Sequence, residues 1–197
     1  MNKELSLILL SKLQDAPWIS RTSGVVQVVN RVIDTGDGTF VTKRVPLAAY
    51  ATSQDCGGTQ ADMIPDSSYK GMLYFEDGGV TAPVKARTGW QYTSKLRLVC
   101  WLNTQLITGD DSTLLSARVI TDIATRLSGN PFSNTPFSRI AVSISNIPMQ
   151  DATIFSKYDY SETETQYLMA PYEYFALDLS VTYIIAGSCV NEVVAIS

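Results

Sequence analysis

The order of predicted segments indicates an α+β fold, with a mainly antiparallel β-sheet, two helices packed on one face, and a long β-hairpin arm. In two segments the apolar residues recur every three to four positions, which is typical of the buried face of a helix. Most of the other segments are rich in β-branched residues or alternate apolar with polar side chains, which indicates strands. Placing both helices on one face of the sheet is the most economical way to bury their apolar stripes.

Both helices are predicted from their apolar stripes and their end signals. The first covers residues 2–16 and ends before Pro17, which cannot continue a helix. The second covers residues 112–128, follows the capping sequence Asp110-Asp111-Ser112 and ends at Gly129. The stripes consist of Leu5, Leu9 and Leu13 in the first helix and of Leu115, Val119, Ile123 and Leu127 in the second.

A hairpin arm and a long loop are predicted after the first helix. Residues 25–33 and 40–50 are strand-like, and the turn sequence Asp34-Thr-Gly-Asp-Gly-Thr39 joins them. Residues 51–70 are loop-like, and a loop of this length inside a compact domain is often functional or interfacial. We therefore expect an extended hairpin and loop over residues 24–70.

The middle of the chain predicts three strands. Residues 72–75 and 80–85 are expected to form a second hairpin around Asp77-Gly-Gly79. Residues 95–102 alternate leucine and cysteine with lysine, arginine and valine, which predicts a strand with one buried face.

The carboxy-terminal third predicts two more strands. Residues 140–144 alternate, and residues 173–185 form a long strand whose apolar side chains face one way. Between them, residues 148–170 are polar, with a short helix expected near 152–158. Residues 187–197 are expected to form a tail.

Composition predicts one domain over residues 1–197 and restricts its chemistry. The chain contains no histidine, which removes the usual general base and the commonest metal ligand. The net charge is −4 and no basic run exceeds Lys43-Arg44, so the counterion release that drives nucleic-acid binding has little to act on. A reader of DNA or RNA sequence is therefore not expected.

The cysteines and the hydropathy pattern indicate the compartment. Cys56, Cys100 and Cys189 are odd in number and distant in sequence, which argues against a disulfide framework and favours a reducing compartment such as the cytoplasm. The apolar run at residues 7–10 is too short for a signal peptide, and no stretch is long enough to cross a membrane.

The acidic candidates for metal binding or catalysis have simpler interpretations. The turn at 34–39 lacks the ligand spacing of a calcium loop, so we expect a hairpin turn. Gly109-Asp110-Asp111 resembles a metal-binding pair, but helix capping is the better interpretation. Glu162 and Glu164 could form a carboxylate pair, although their polar setting favours a solvated loop.

The remaining motifs are weaker still. Ser94-Lys95 and Ser156-Lys157 could form nucleophile–base pairs, yet neighbours in a strand point to opposite faces. Gly57-Gly58 and Gly78-Gly79 fit no phosphate-binding loop. No catalytic, cofactor-binding or metal-binding residue is therefore predicted, and no enzymatic activity is expected. A group of tyrosines is equally consistent with an interface and with a half-buried core: Tyr158, Tyr160, Tyr167, Tyr172 and Tyr174.

The layout resembles that of the tail-terminator and tail-completion proteins of tailed bacteriophages. The resemblance is one of segment order over most of the chain, without a shared diagnostic motif. The features that carry it are the helix at 5–13, the hairpin around 34–39, the helix at 114–127, the strand Tyr172-Glu-Tyr-Phe-Ala-Leu-Asp-Leu-Ser-Val-Thr-Tyr183, and the segment from Gly71 to Asn103.

This resemblance implies a structural virion protein of the neck or tail that assembles in the cytoplasm of the bacterial host. It implies a homo-oligomeric ring, usually six- or twelve-fold, that ends tail growth or joins the tail to the head–portal connector. Its partners would be other copies and the neighbouring neck, portal or tail proteins. DNA would pass through the lumen without sequence-specific binding, and neither a membrane nor a cofactor is involved.

Two alternatives remain open. The first is a small soluble α+β domain that binds a ligand or acts as an enzyme, with a pocket lined by Trp90, Trp101 and the late tyrosines. The second, within the same structural class, is a stopper, minor capsid or baseplate component.

Overall fold

A computed structural model of the chain describes residues 1–34, 36, 38–48, 62–87, 89–109, 115–128, 132, 137–160 and 165–186. The helices that lie wholly within this part of the chain are α1 (Asn2–Leu10), α2 (Thr104–Thr108) and α3 (Leu115–Ser128), together with one turn of 3-10 helix at Ala152–Ile154. The strands are β1 (Arg21–Asp34), β2 (Phe40–Ala48), β3 (Gly71–Val80), β4 (Val84–Ala86), β5 (Gly89–Asn103), β6 (Ser138–Asn146) and β7 (Tyr172–Ala186).

These strands form one sheet of seven, in the order β2-β1-β3-β5-β7-β6, with β4 paired to β5. Every pairing is antiparallel except that of β1 with β3, which is parallel. The two central strands, β5 and β7, pair without interruption over 15 residues each. The sequence prediction of an α+β fold with a mainly antiparallel sheet is therefore confirmed.

The two main helices lie on the same face of the sheet, as predicted. The stripes of α1 and α3 pack into one apolar cluster with the inward-facing side chains of the central strands. On β5 these are Leu96, Leu98, Cys100 and Leu102, and on β7 they are Phe175, Leu177, Leu179, Val181 and Tyr183.

The opposite face carries a second core, which the sequence did not predict. Val99 and Trp101 on β5 are fully buried there, although the alternation of residues 95–102 predicted only one buried face. The residues that cover them come from the polar segment 148–170 and from the end of the long loop, namely Met63, Ile154, Phe155 and Tyr158. A strand buried on both faces needs a covering layer on each, and here a few apolar side chains in a polar segment supply the second layer.

The predicted first helix is longer than the observed one. α1 ends at Leu10. Beyond it, backbone hydrogen bonds span three residues where an α-helix spans four, and the N–H of Leu13 donates to the oxygen of Leu10 at 2.8 Å. The chain therefore turns, yet Leu13 and Ala16 remain in the core. α3 matches the carboxy-terminal part of the prediction, whereas residues 110–114 and 129 lie outside the described residues.

α2 has no counterpart among the predicted helices. Its cap is Asn103, whose side-chain oxygen accepts a hydrogen bond of 3.2 Å from the backbone N–H of Leu106. It ends at Gly109, which has a φ of +72° and so takes the left-handed conformation that glycine adopts at little cost.

The predicted hairpin of residues 72–75 with 80–85 is wrong. β3 continues through the glycine pair to Val80 and pairs with β5, while β4 makes its own short hairpin with the start of β5. The backbone N–H of Gly79 donates to Oδ1 of Asp77 at 2.7 Å. The glycine pair lies in a β-bulge between Asp77 and Val80, and it does not form the predicted turn. Gly78 lies so close to Lys95 of β5 that an added Cβ would be 2.9 Å from the lysine backbone oxygen.

The other predictions agree with the structure where it describes them. β1 and β2 form the predicted hairpin in regular register, and β6 and β7 match the two late strands. A 3-10 helix of three residues stands where a short helix was expected near 152–158. The loop at 51–61 and the tail at 187–197 lie outside the described residues.

Candidate functional site

The distal half of the β1–β2 hairpin projects beyond the rest of the sheet. We define this arm as residues 28–34 and 40–44. Its root is fixed at Arg44, whose backbone N–H donates to Oδ2 of Asp159 at 2.9 Å and whose backbone oxygen accepts from the N–H of Asp159 at 2.9 Å. The guanidinium of Arg31 on β1 also pairs with the carboxylate of Asp62, a residue bridged to Leu47 of β2.

The Arg44–Asp159 contact is an ion pair as well as a backbone contact. Nε of Arg44 lies 3.2 Å from Oδ2 of Asp159, and Nη2 donates to Oδ1 at 3.3 Å. These side-chain bonds, followed by the backbone bond, hold the pKa of Asp159 below its usual value. The side-chain bonds to Asp159, followed by its charge, raise the pKa of Arg44. The pair joins the outer edge of β2 to the segment that covers the second core.

Beyond this root the arm exposes an apolar stripe. Val32 is 62% exposed and Phe40 is 67% exposed. Both lie on one face of the hairpin because Val32 pairs with Thr42 and Asp34 pairs with Phe40 in register. Exposed apolar side chains grouped on a projecting element are typical of surfaces that become covered by a partner.

The turn at the arm tip has the features of a hairpin turn. Gly36 and Gly38 have φ values of +87° and +83°, and the N–H of Gly36 donates to Oδ1 of Asp34 at 2.9 Å. No cluster of three or more acidic, cysteine or histidine side chains suited to a metal ion occurs among the described residues. The positive φ values and the bond to Asp34 are those of a hairpin turn, while Thr35 and Asp37 lie outside the described residues.

A polar row crosses the second sheet face next to the segment that covers the second core. Glu76, Arg97, Asp178 and Asn146 stand opposite one another on β3, β5, β7 and β6. Nε of Arg97 donates to Oδ1 of Asp178 at 2.7 Å, and Nδ2 of Asn146 donates to Oδ2 at 3.2 Å. The bond from Arg97 is the main reason that the pKa of Asp178 lies below its usual value.

Glu76, Arg97 and Asp178 of this polar row line a cavity of about 420 Å³. Lys95 and Lys157 are also in its wall, so cationic and anionic groups are balanced there. Lys157 lies 2.5 Å from Oε2 of Glu76, and Lys95 donates to Oγ of Ser180 at 3.0 Å. Because most of these charges neutralise one another, the cavity has no single strong attraction for an ion.

The late tyrosines belong mainly to the second core. Tyr158 and Tyr174 are buried, and the ring of Tyr172 stacks on that of Trp101 at 5.1 Å between centroids. Nε1 of Trp101 also donates to the backbone oxygen of Tyr167 at 2.6 Å. Of the two interpretations that the sequence left open, the structure supports core packing for these residues.

A second cavity, which we call the Trp18 groove, lies between α3 and the turn before β1. Its volume is about 480 Å³. Nε1 of Trp18 donates to Oδ2 of Asp122 at 3.0 Å, and Arg126 pairs with the same carboxylate at 2.9 Å. The groove is lined by Pro17, Trp18, Lys70, Ile107, Leu115, Arg118, Val119, Asp122 and Arg126. Its apolar floor and its excess of cations distinguish it from the balanced cavity on the other face.

Among the described residues, the two serine–lysine candidates do not form nucleophile–base pairs. Ser94 points into the core next to the hydroxyl of Tyr183, at 3.2 Å, whereas Lys95 points to the opposite face. Ser156 donates to the backbone oxygen of Thr153 at 3.0 Å, and Lys157 is engaged with Glu76. The pairs Glu162/Glu164, Gly57/Gly58 and Asp110/Asp111 lie outside the described residues.

Trp90 and Trp101 do not share a pocket. They lie on opposite faces of β5, which pairs in unbroken register with β7, and eleven residues separate them, or about 36 Å along a strand. Trp101 is fully buried and Trp90 is 43% exposed. The Trp18 groove was missed from the sequence because the residues that line it come from segments that are distant in the chain.

No model of a known protein family matches the chain, and no curated protein matches it. Among the helices that the structure describes, none has the length and apolar character needed to span a bilayer.

Proposed function

We propose that the protein is a structural subunit of the neck or tail of a tailed bacteriophage. Copies of it form a closed ring that terminates the tail or joins it to the head–portal connector, around the channel for DNA. The observation that carries the proposal is the arm, which presents Val32 and Phe40 to solvent beyond its root at Arg44. A projecting hairpin with exposed apolar side chains is suited to grip a neighbouring subunit.

The two ends of the sheet favour association between unlike surfaces. β2 with its arm lies at one end, and β6 lies at the other. The base of β2 is occupied by hydrogen bonds at Arg44 and Pro46, so the distal arm is the part of this edge left for a partner among the described residues. Contacts between unlike surfaces generate rings when the rotation closes.

Charge and layout support the neck or tail in particular. A net charge of −4 suits a lumen through which DNA moves without being held. The order of segments resembles that of tail-terminator and tail-completion proteins, whose rings are usually six- or twelve-fold. On this proposal the partners are other copies and adjacent neck, portal or tail proteins, and the site of action is the virion after assembly in the bacterial cytoplasm.

Light scattering across a concentration series tests the ring. We expect the mass of six or twelve subunits, and rings with a central hole in electron micrographs. The double variant Val32→Ser/Phe40→Ser should lower the assembled fraction while keeping the fold, because both side chains are exposed. Val84→Ser is the matched control, since Val84 is 66% exposed but lies on β4, away from the arm.

A wild-type protein that remains monomeric at every concentration would overturn the ring. A stopper, minor capsid or baseplate component would instead be indicated by selective binding to the corresponding purified neighbour. The other alternative is a small domain that binds a ligand or acts as an enzyme, and the cavity of about 420 Å³ beside Glu76 and Asp178 favours it. That alternative predicts a monomer or dimer and saturable binding of a polar small molecule that Asp178→Asn weakens.

A further inference from the structure

The arm tip and the Trp18 groove are complementary in charge and in apolar character. At the tip, Phe40 is 67% exposed and shares a face with the carboxylate of Asp34. In the groove, apolar side chains including Trp18 form the floor, and the cations of Lys70 and Arg118 line the walls. An aromatic ring beside a carboxylate would meet an apolar floor beside two cations.

The cations of the groove have unused capacity. Lys70 and Arg118 are exposed, and neither forms an ion pair with any carboxylate among the described residues. Arg126 is different, because Asp122 neutralises it at 2.9 Å. The described lining therefore carries two uncompensated positive charges in a protein whose net charge is −4, which favours an acidic occupant.

The two surfaces cannot meet within one subunit. Trp18 lies three residues before the start of β1, and Lys70 immediately precedes β3, which runs parallel to β1, so the groove lies at the start of both strands. The arm tip lies at the far end of β1. Strand geometry separates the two by about 40 Å. Only a second molecule can bring a tip into a groove.

We propose that the arm tip of one subunit docks in the Trp18 groove of a second copy of this chain. Phe40 lies on the apolar floor, and Asp34 lies between Lys70 and Arg118. This inference rests on the ring proposed above and names the two surfaces that meet in it. Because tip and groove are unlike and lie at opposite ends of the subunit, each copy can donate one arm and receive another, which is the arrangement that closes a ring.

Charge reversal at each surface tests this contact. Asp34→Arg places a cation against two others, and Arg118→Glu places an acid against the acidic tip. Each single variant should raise the concentration needed for half-assembly at least about tenfold, since like charges in a contact are strongly unfavourable. Lys70→Glu repeats the groove test at the second cation. Circular dichroism and thermal unfolding verify that each variant is folded.

A mixture of the two single variants gives the decisive result. In an equimolar mixture, the basic tip of the Asp34→Arg variant faces the groove of the Arg118→Glu variant, in which an acid has replaced one of the two unpaired cations. The unchanged tip of the second variant faces the unchanged groove of the first, so every junction in an alternating ring is complementary. Assembly should therefore return in the mixture, and also in the double variant Asp34→Arg/Arg118→Glu. Lys85→Glu is the control for net charge. Lys85 is exposed on β4, and its replacement by glutamate changes the net charge by the same amount as Arg118→Glu.

The outcomes separate this inference from the proposed function. If the wild type forms rings and the charge variants assemble normally, or if neither the mixture nor the double variant recovers, the tip–groove contact is wrong and the ring stands. If the tip binds another phage protein instead, Asp34→Arg abolishes that binding without changing the mass of the homo-oligomer. If the wild type never assembles, the ring is overturned together with the contact.

Discussion

The hydroxyl of Tyr158 donates a hydrogen bond of 2.7 Å to Oε1 of Glu76, which lies 82 positions earlier in the chain. Glu76 is buried, with 7% of its surface exposed, and its other carboxylate oxygen is 2.5 Å from Nζ of Lys157. Two adjacent residues of the covering segment thus satisfy both oxygens of one carboxylate on β3. This contact fixes the polar end of the segment, while Phe155 fixes its apolar part.

Removal of the Tyr158 hydroxyl should destabilise the fold. Tyr158→Phe leaves a buried carboxylate without one of its donors, so we expect the free energy of unfolding to fall by about 1–3 kcal/mol. Denaturant unfolding followed by circular dichroism measures this change. The matched control is Tyr92→Phe, because the Tyr92 ring stacks on Tyr183 at 5.8 Å and no described group bonds its hydroxyl. Equal effects of the two substitutions would contradict the prediction.

Alkaline pH should destabilise the second core. Burial, and then the charge of neighbouring groups, raises the pKa of Tyr74 and of Tyr158 above the ordinary value. The unfolded chain releases these phenolic protons near pH 10 while the folded chain retains them. Stability is therefore fully present below about pH 10 and falls as pH rises further, by up to about 1.4 kcal/mol per pH unit for each tyrosine.

The measurement is the unfolding midpoint in denaturant at a series of pH values from about 8 to 11, with phenolate absorbance recorded in parallel. Tyr158→Phe removes one of the two groups, so its stability should decline less steeply above about pH 10 than that of the wild type. A wild type and variant with the same slope would show that Tyr158 does not retain its proton in the folded chain.

Periodicity in the sequence predicted the parts of the fold in which one face is buried. The stripe from Leu115 to Leu127 contacts one apolar layer, and so do Leu179, Val181 and Tyr183 of β7, where the residues between them are only partly buried, so the pattern and the structure agree there. β3 differs because residues 72–75 are buried on both faces. Such a run does not alternate apolar with polar residues, so its sequence does not indicate which strand pairs with it. Its partner strand was therefore predicted incorrectly, and the glycine pair was mistaken for the turn.

The candidate surfaces were predictable to different degrees. The arm is a local structure, and its turn chemistry and β-branched strands were sufficient to predict it. The Trp18 groove is formed by Trp18, Lys70 and Arg118, whose proximity depends on tertiary packing that no local pattern records. The cover over Trp101 was missed for the same reason, because Phe155 and Tyr158 stand in a segment without apolar periodicity.

Acid pH should weaken the polar row across β5 and β7. The hydrogen bonds from Arg97 hold the pKa of Asp178 below its usual value. Its contribution to stability is therefore present above about pH 4 and is lost as pH falls further through the lowered pKa of the folded state. Asp178→Asn should cost about 1 kcal/mol at neutral pH, because the pair is bidentate but partly exposed.

Unfolding midpoints in denaturant at a series of pH values from about 6 down to 2 measure this dependence. The variant should lose less stability than the wild type over the acidic part of the range, since it lacks the titrating carboxyl. Asp15→Asn is the control, because Asp15 is exposed and forms no ion pair among the described residues. An unchanged acid dependence in Asp178→Asn would contradict the assignment.

The thiol of Cys100 should be unreactive in the folded protein. It is fully buried in the core under the helices, and burial raises the pKa of the thiol. Cys56→Ser/Cys189→Ser leaves Cys100 as the remaining thiol. A disulfide reagent should modify it at least about a thousandfold more slowly in buffer than in denaturant, because reaction requires unfolding. Rapid modification of the folded variant would show that the core opens locally at β5.

Gly71 marks the closest approach between the start of β3 and the turn that follows α1. A Cβ at this position would meet the backbone oxygen of Trp18 well inside van der Waals contact, and it would lie 3.2 Å from the side chain of Leu102. The backbone oxygen of Gly71 also accepts a hydrogen bond of 2.9 Å from the N–H of Ser20, so the two segments cannot separate without losing that bond. The site therefore has little freedom to accommodate a larger residue.

Gly71→Ala should consequently lower the free energy of unfolding by about 3 kcal/mol, at the upper end of the cost of overpacking, since the obstructing atom belongs to the backbone. Denaturant unfolding measures the change. Gly36→Asn at the arm tip is the control, because nothing lies within 4 Å of an added Cβ and asparagine tolerates its φ of +87°. The control should stay within about 0.5 kcal/mol of the wild type. If Gly71→Ala were equally mild, the turn before β1 would have to be less tightly packed against β3 than the structure shows, and the floor of the Trp18 groove would be less rigid.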